Sequence, residues 1–205
     1  MNEPQPLPAP ATCRERRPVD RSGDGGHLRL RLSQWRRERL LRLALRRAEE
    51  PILVLEVAQL PGATWPVLLE HRNRIIVATG PCVESLQQAH QRLPMAMKRR
   101  IRDLPAPQDP PELRARSVDC LLLPDIPPGV CNAPNIRLLN QWIPVTRDSV
   151  ILFARVSHRS STGPAPDFSS AWALEREFQR LGFAQISHCN WVPGMDGVRI
   201  YILRK

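Results

Sequence analysis

Four short apolar runs, each carrying no more than one charge, constrain the fold of this chain more than any other feature. They are Ile52 to Ala58 (ILVLEVA), Arg74 to Thr79 (RIIVAT), Val118 to Leu123 (VDCLLL) and Val150 to Val156 (VILFARV). A strand that is apolar on both faces has to be buried on both, and a parallel sheet covered by helices does this. The expected class is therefore α/β, a mostly parallel twisted sheet with helices on both faces. The intervening segments suit that role. Trp65 to His71 forms a short helix started by Pro66, and Glu84 to Leu93 sets Leu86, Ala89 and Leu93 on one helical face. Asn135 to Ile143 reads as another short helix, and Asp167 as the N-cap of a helix that stops at Gly182. The proline-rich stretch Pro94 to Pro111 leaves room for one short strand, near Met97 to Ile101. Phe183 to Cys189 and Val198 to Leu203, joined by Asn190 to Gly197, read as a closing antiparallel hairpin.

Upstream of the first run the composition changes twice. Residues 1–27 hold five prolines together with Gly23, Gly25 and Gly26, and have too little apolar surface to offset ordering entropy, so a disordered tail is expected. From Leu28 to Glu50 arginine and leucine dominate. Leu32, Trp35, Leu40 and Leu43 are expected toward one broad side of a helix, with Arg36, Arg37, Arg39, Arg42, Arg46 and Arg47 on the rest. Such a helix either covers the core with a solvated outer face or offers a basic face to an anionic surface or a protein partner. The chain of 205 residues, 42 % hydrophobic, suits one domain over 28–205 behind the tail.

Several function classes drop out. No run approaches the roughly 20 apolar residues of a membrane span, and no signal-peptide pattern opens the chain, so a cytoplasmic protein is expected. The formal charge of +10 favours polyanions in general. Aromatic residues, at 5 %, are not interleaved with the basic ones, so nucleic acid is not an expected partner. The five cysteines form no C-x-x-C pair. His188 and Cys189 lack converging ligands, so neither a disulfide framework nor a metal site is expected. Patterns for phosphate loops, serine hydrolases and zinc proteases are absent.

A strand, a glycine-bearing loop, a helix, a second strand and a further helix make the nucleotide-binding half of a doubly wound sheet. VLEVAQLPGATWPVLLE (residues 54–70) resembles the first motif of the class I S-adenosylmethionine-dependent methyltransferases. In the family's order follow IIVATGPCVESLQQAHQRL, SVDCLLLPDIP, VTRDSVILFARV and the C-terminal LEREFQRLGFAQISHCNWVPGMDGVRIYILRK, so the similarity spans about residues 35–205. The resemblance implies a Rossmann-like methyltransferase fold with an antiparallel C-terminal hairpin, S-adenosylmethionine as cofactor and a small-molecule acceptor. It places Ala58, Leu60 and Gly62 on the cofactor loop. Gly80 falls where the family carries a carboxylate for the ribose hydroxyls, and Asp103 where the adenine amino group is bound. Asp125 follows the fourth strand at the ligand-binding edge, and is equally a loop aspartate bonding to its own backbone. Glu56 matches an acidic residue near the methionine end, and is equally an ordinary buried glutamate paired with arginine. Asp119 reads as structural. Methyl transfer needs orientation more than a catalytic group; His158, after the fifth strand, is the base candidate for a hydroxyl acceptor, or else a plain loop histidine in the stretch HRSSTGPAPD.

The departures concentrate at the cofactor. Of the loop glycines only Gly62 is kept. A left-handed Leu60 would cost about 1–3 kcal/mol, so a different loop path is expected. Without a carboxylate at position 80, charge-assisted bonds of about 1.5–3 kcal/mol each are lost, and cofactor binding is expected to be weak or gone. Two readings stand: a divergent methyltransferase acting on a small molecule, and a pseudo-methyltransferase serving as a protein-binding or scaffold module.

Overall fold

A computed structural model describes residues 24–104, 113–124, 139–156, 171–190 and 197–205. The chain runs as α1 (Asp24–Arg47), β1 (Leu53–Val57), α2 (Trp65–Leu68), β2 (Ile75–Thr79), α3 (Val83–Gln91), α4 (Met95–Lys98), β3 (Ile101–Asp103) and β4 (Val118–Leu123). A helical turn at 139–142 passes into the 3₁₀ turn Ile143–Val145, followed by β5 (Thr146–Val156), α5 (Ala171–Arg180), β6 (Gln185–Asn190) and β7 (Gly197–Arg204). The seven strands form one sheet in the order β3-β2-β1-β4-β5-β7-β6. The first five are parallel, and β7 lies antiparallel between β5 and β6.

Both faces of the sheet are buried, as the apolar runs require. Val54, Ile76, Cys120, Leu122, Ile151 and Ile200 pack on one side with α1, α2 and α3. Leu55, Leu121, Val150, Leu152 and Tyr201 pack on the other with Leu139, Trp142, Leu174 and Phe178. Fully burying one such side chain is worth about 1.5–3 kcal/mol, so the few buried residues of α1 and of α5 are enough to hold each helix on the sheet.

The buried side of α1 differs from the expected one. Leu41, Ala44, Leu45 and Ala48, spaced i, i+3, i+4, i+7, are buried, while Leu32 (57 %), Trp35 (54 %) and Leu43 (37 %) are exposed. The two alanines let the helix approach the sheet closely, a reason that hydropathy alone does not reveal. The helix also begins at Asp24, four residues before the expected start. It ends on two non-glycine left-handed residues, Glu49 (φ 62°) and Glu50 (φ 50°), held by ion pairs to Arg204 and Arg74, both 2.6 Å.

Two further boundaries move. Where a strand was expected near Met97, Pro94 starts a helical turn by accepting from the Met97 and Lys98 amides, and the strand follows at Ile101–Asp103. β5 starts at Thr146, not Val150, because Thr146 pairs with Val118 and Ser149 with Cys120 despite their polar side chains. Asp119 is structural as read. Its Oδ2 accepts from the Ile52 and Leu53 amides (3.1 and 2.9 Å), fastening the start of β1 to β4. The tail residues 1–23 and Asp167 lie outside the described residues.

Candidate functional site

β2 and β3 lie on one side of β1 and β4 and β5 on the other, so the strand order reverses direction at β1/β4. In open α/β sheets ligands bind at such a switch, outside the carboxyl ends of the strands. The registers Val57↔Thr79 and Ala78↔Asp103 bring Ala58, Gly80 and Asp103 to this one edge.

The loop after β1 lies down on α3. The Ala58 amide donates to Thr79 O (3.2 Å), and the side chain is buried. Leu60 is 71 % exposed and is not among the left-handed residues, so leucine is unstrained there. The turn is made at Gly62 instead, with φ +91°. A Cβ on Gly62 would stand 2.8 Å from Ala89 Cβ, which shows how closely loop and helix meet. Gly80 is enclosed from the same side, its hypothetical Cβ falling 3.0 Å from Ser85 Oγ and 3.2 Å from Pro61 Cγ.

The acidic candidates are held by protein groups. Glu56 projects from β1 toward the helical side of Trp65 and is fully buried. Thr64 Oγ1 donates to Glu56 Oε1, and Trp65 Nε1 donates to Oε2 (2.6 Å). The Trp65 ring lies 5.1 Å from that of His90, whose Nε2 donates to Asp103 Oδ1 (2.7 Å). A chain of contacts thus links Glu56, Trp65, His90 and Asp103. Sequence reasoning missed it, since Trp65 read only as a helix start and His90 as a helix residue. The edge therefore gathers Glu56, Ala58, Leu60, Gly62, Gly80 and Asp103. Asp125 and His158 lie outside the described residues.

Beside this edge a groove of about 460 Å³ separates α1 from the loop, lined by Ser33, Arg37, Glu38, Ala63, Thr64 and Val67 among others. Arg37 Nη2 donates to Pro124 O (2.9 Å) at the end of β4, and its guanidinium lies 5.3 Å over the Phe153 ring, which anchors α1 across β4 and β5. A cavity of about 590 Å³ opens at the opposite, amino edge, between Glu49, Arg116, Asp119, Arg147, Arg204 and Lys205. It is remote from the switch point and is lined largely by ion-paired groups.

The sequence matches no protein-family model and no curated protein. Solved structures match instead. The methyltransferase domain of bacterial CtHen1 aligns at TM-score 0.62 and 12 % identity, over 84 % of this chain and 100 % of that one. The N-terminal domain of EvdMO1, solved with SAH and D-fucose, aligns at 0.62 and 15 %, over 84 % and 82 %. A provisionally assigned O-methyltransferase from Nostoc punctiforme aligns at 0.63 and 17 %, over 82 % of this chain and 55 % of its own length.

This chain has the class I methyltransferase fold. The mostly parallel sheet with its antiparallel closing hairpin is the Rossmann-like architecture that the resemblance implied. The chain spans only 55 % of the Nostoc protein and 40 % of another EvdMO1 structure, so the methyltransferase fold is what is shared. Among the described residues of this methyltransferase-like chain, no three His, Cys, Asp or Glu groups gather as metal ligands. His188 lies beside the Tyr201 ring (5.8 Å), while Cys189 packs into the opposite core, so the neighbours diverge across the strand. No helix among the described residues is long and apolar enough to cross a membrane.

Proposed function

We propose that this chain is a pseudo-methyltransferase, a protein of methyltransferase fold that acts as a binding or scaffold module and does not transfer methyl groups. The observation that carries the reading is the packing at the switch point: Pro61 and Ser85 close on Gly80, and Glu56 is sealed beneath Thr64 and Trp65. S-adenosylmethionine is a cation with a ribose to hold. It would need a carboxylate at position 80, where Gly80 stands, and both oxygens of Glu56 are already engaged by Thr64 and Trp65, which leaves the half-exposed Asp103 as the acceptor open to a ligand. At position 80 and around Glu56 the residues present lack what that cofactor needs. Each missing charge-assisted bond forfeits about 1.5–3 kcal/mol, more than tenfold in affinity.

A second reading, a divergent methyltransferase acting on a small molecule, is favoured by the groove of about 460 Å³ beside Thr64, since small-ligand sites run to about 300–1,000 Å³. Calorimetric titration with S-adenosylmethionine and S-adenosylhomocysteine separates the two. The pseudo-methyltransferase gives no binding heat up to millimolar ligand, and micromolar binding would select the active enzyme. Partial recovery of binding in Gly80→Asp, whose Cβ would stand 3.0 Å from Ser85 Oγ and 3.2 Å from Pro61 Cγ and so needs shifts of a few tenths of an ångström, would trace the loss to the missing carboxylate and support the pseudo-methyltransferase.

A further inference from the structure

Among the described residues, nothing packs on the outer face of α1. At 100° per residue, Leu32, Trp35, Arg36, Arg39, Leu43 and Arg46 share the side opposite the buried Leu41, Ala44, Leu45 and Ala48. Two leucines and a tryptophan stand in water there, and the Arg39 guanidinium lies 5.6 Å over the Trp35 ring. No acidic residue shares this face. Glu38, the one carboxylate between residues 31 and 47, lies on another side, where it accepts from Gln34 and pairs with Arg42. From Leu32 to Arg46 the stripe is about 21 Å long at 1.5 Å per residue.

We infer that this face docks the protein on an anionic lipid membrane, lying along the surface without spanning it. Charge complementarity chooses the occupant: three arginines with no carboxylate among them attract lipid phosphates, and the chain's formal +10 adds long-range attraction. The apolar members choose between polyanions. Tryptophan and leucine flanked by arginine is the composition of helices that lie in the headgroup region, where the indole and aliphatic tips leave water and the guanidinium groups stay with the phosphates. A nucleic acid would satisfy the arginines and leave Leu32 and Leu43 in water. The inference goes beyond the binding-module reading and does not depend on the crevice, so its failure is read in vesicles and that reading's failure in cofactor calorimetry.

Flotation of the full chain with vesicles tests it. The chain binds phosphatidylcholine vesicles that contain phosphatidylglycerol, does not bind phosphatidylcholine alone, and is released by high salt. Charge reversal at Arg36, Arg39 and Arg46 together lowers partitioning about a hundredfold or more. Leu32→Ser with Trp35→Ser lowers it at least about tenfold, with the thermal midpoint unchanged because both side chains are exposed. A blue shift of tryptophan fluorescence on vesicles disappears in Trp35→Phe. No binding to the anionic vesicles, equal binding to neutral ones, or unchanged binding by the arginine variant would each overturn the inference. So would retention on a polynucleotide with the vesicles left unbound.

Discussion

Replacing Gly62 by alanine probes the contact on which the closed crevice rests. The residue sits at φ +91°, where an L side chain costs about 1–2 kcal/mol. Its new Cβ would also stand 2.8 Å from Ala89 Cβ, and such overpacking against a helix costs about 1–3 kcal/mol. The stiffer unfolded chain returns about 0.4–1 kcal/mol. The net loss is about 1–4.5 kcal/mol, a fall of roughly 2–18 °C in melting temperature for a chain of this size. Gly182→Ala is the internal control. Gly182 has φ +84° and nothing within 4 Å of a Cβ, so it bears the backbone term alone, at most about 1.6 kcal/mol. Urea denaturation of both variants, and of Gly62→Ala combined with Ala89→Gly, isolates the clash as a coupling of about 1 kcal/mol or more. If Gly62→Ala is as mild as Gly182→Ala and shows no coupling to position 89, the loop does not rest on α3, and the argument from a filled crevice fails with it.

Glu56→Gln keeps the shape but turns one acceptor into a donor facing the Thr64 hydroxyl or the Trp65 indole, so unfolding by calorimetry shows a loss of about 1–3 kcal/mol; an unchanged midpoint would mean the carboxylate is not so engaged. Burial pushes the Cys120 thiol up to about 12 from 9.0 and the Tyr201 phenol up to about 12 from 10.0. Above pH 9 the unfolded chain therefore releases protons that the native state retains, and stability to urea falls from pH 9 toward 12; a flat profile would refute the burial of both groups. Peptide mapping after native alkylation at pH 8 finds Cys82 and Cys189 modified and Cys120 spared, with Cys120 reacting only after denaturation.

Much of the fold follows from local pattern. VDCLLL is a strand in the structure as it is in the sequence, because a run apolar on both faces is stable only between two layers. Gly182 ends its helix in a left-handed turn, since the Gly182 and Phe183 amides close on Gln179 O and Phe178 O without a side chain in the way. The altered loop was legible too, as a leucine in place of a glycine called for another path and the turn moved to Gly62.

What the chain's own residues determined, then, is the class of fold and most strand positions, because burial periodicity and backbone freedom are properties of short segments. Only the tertiary structure decided which side of α1 is buried, since Ala44 and Ala48 count for little in hydropathy and for much in close approach. It also decided that Glu56 accepts from Thr64 and Trp65, that His90 holds Asp103, and that Pro61 rests against Gly80. Each of these joins residues whose meeting depends on how loops and helices pack across the sheet, and no local pattern encodes that distance.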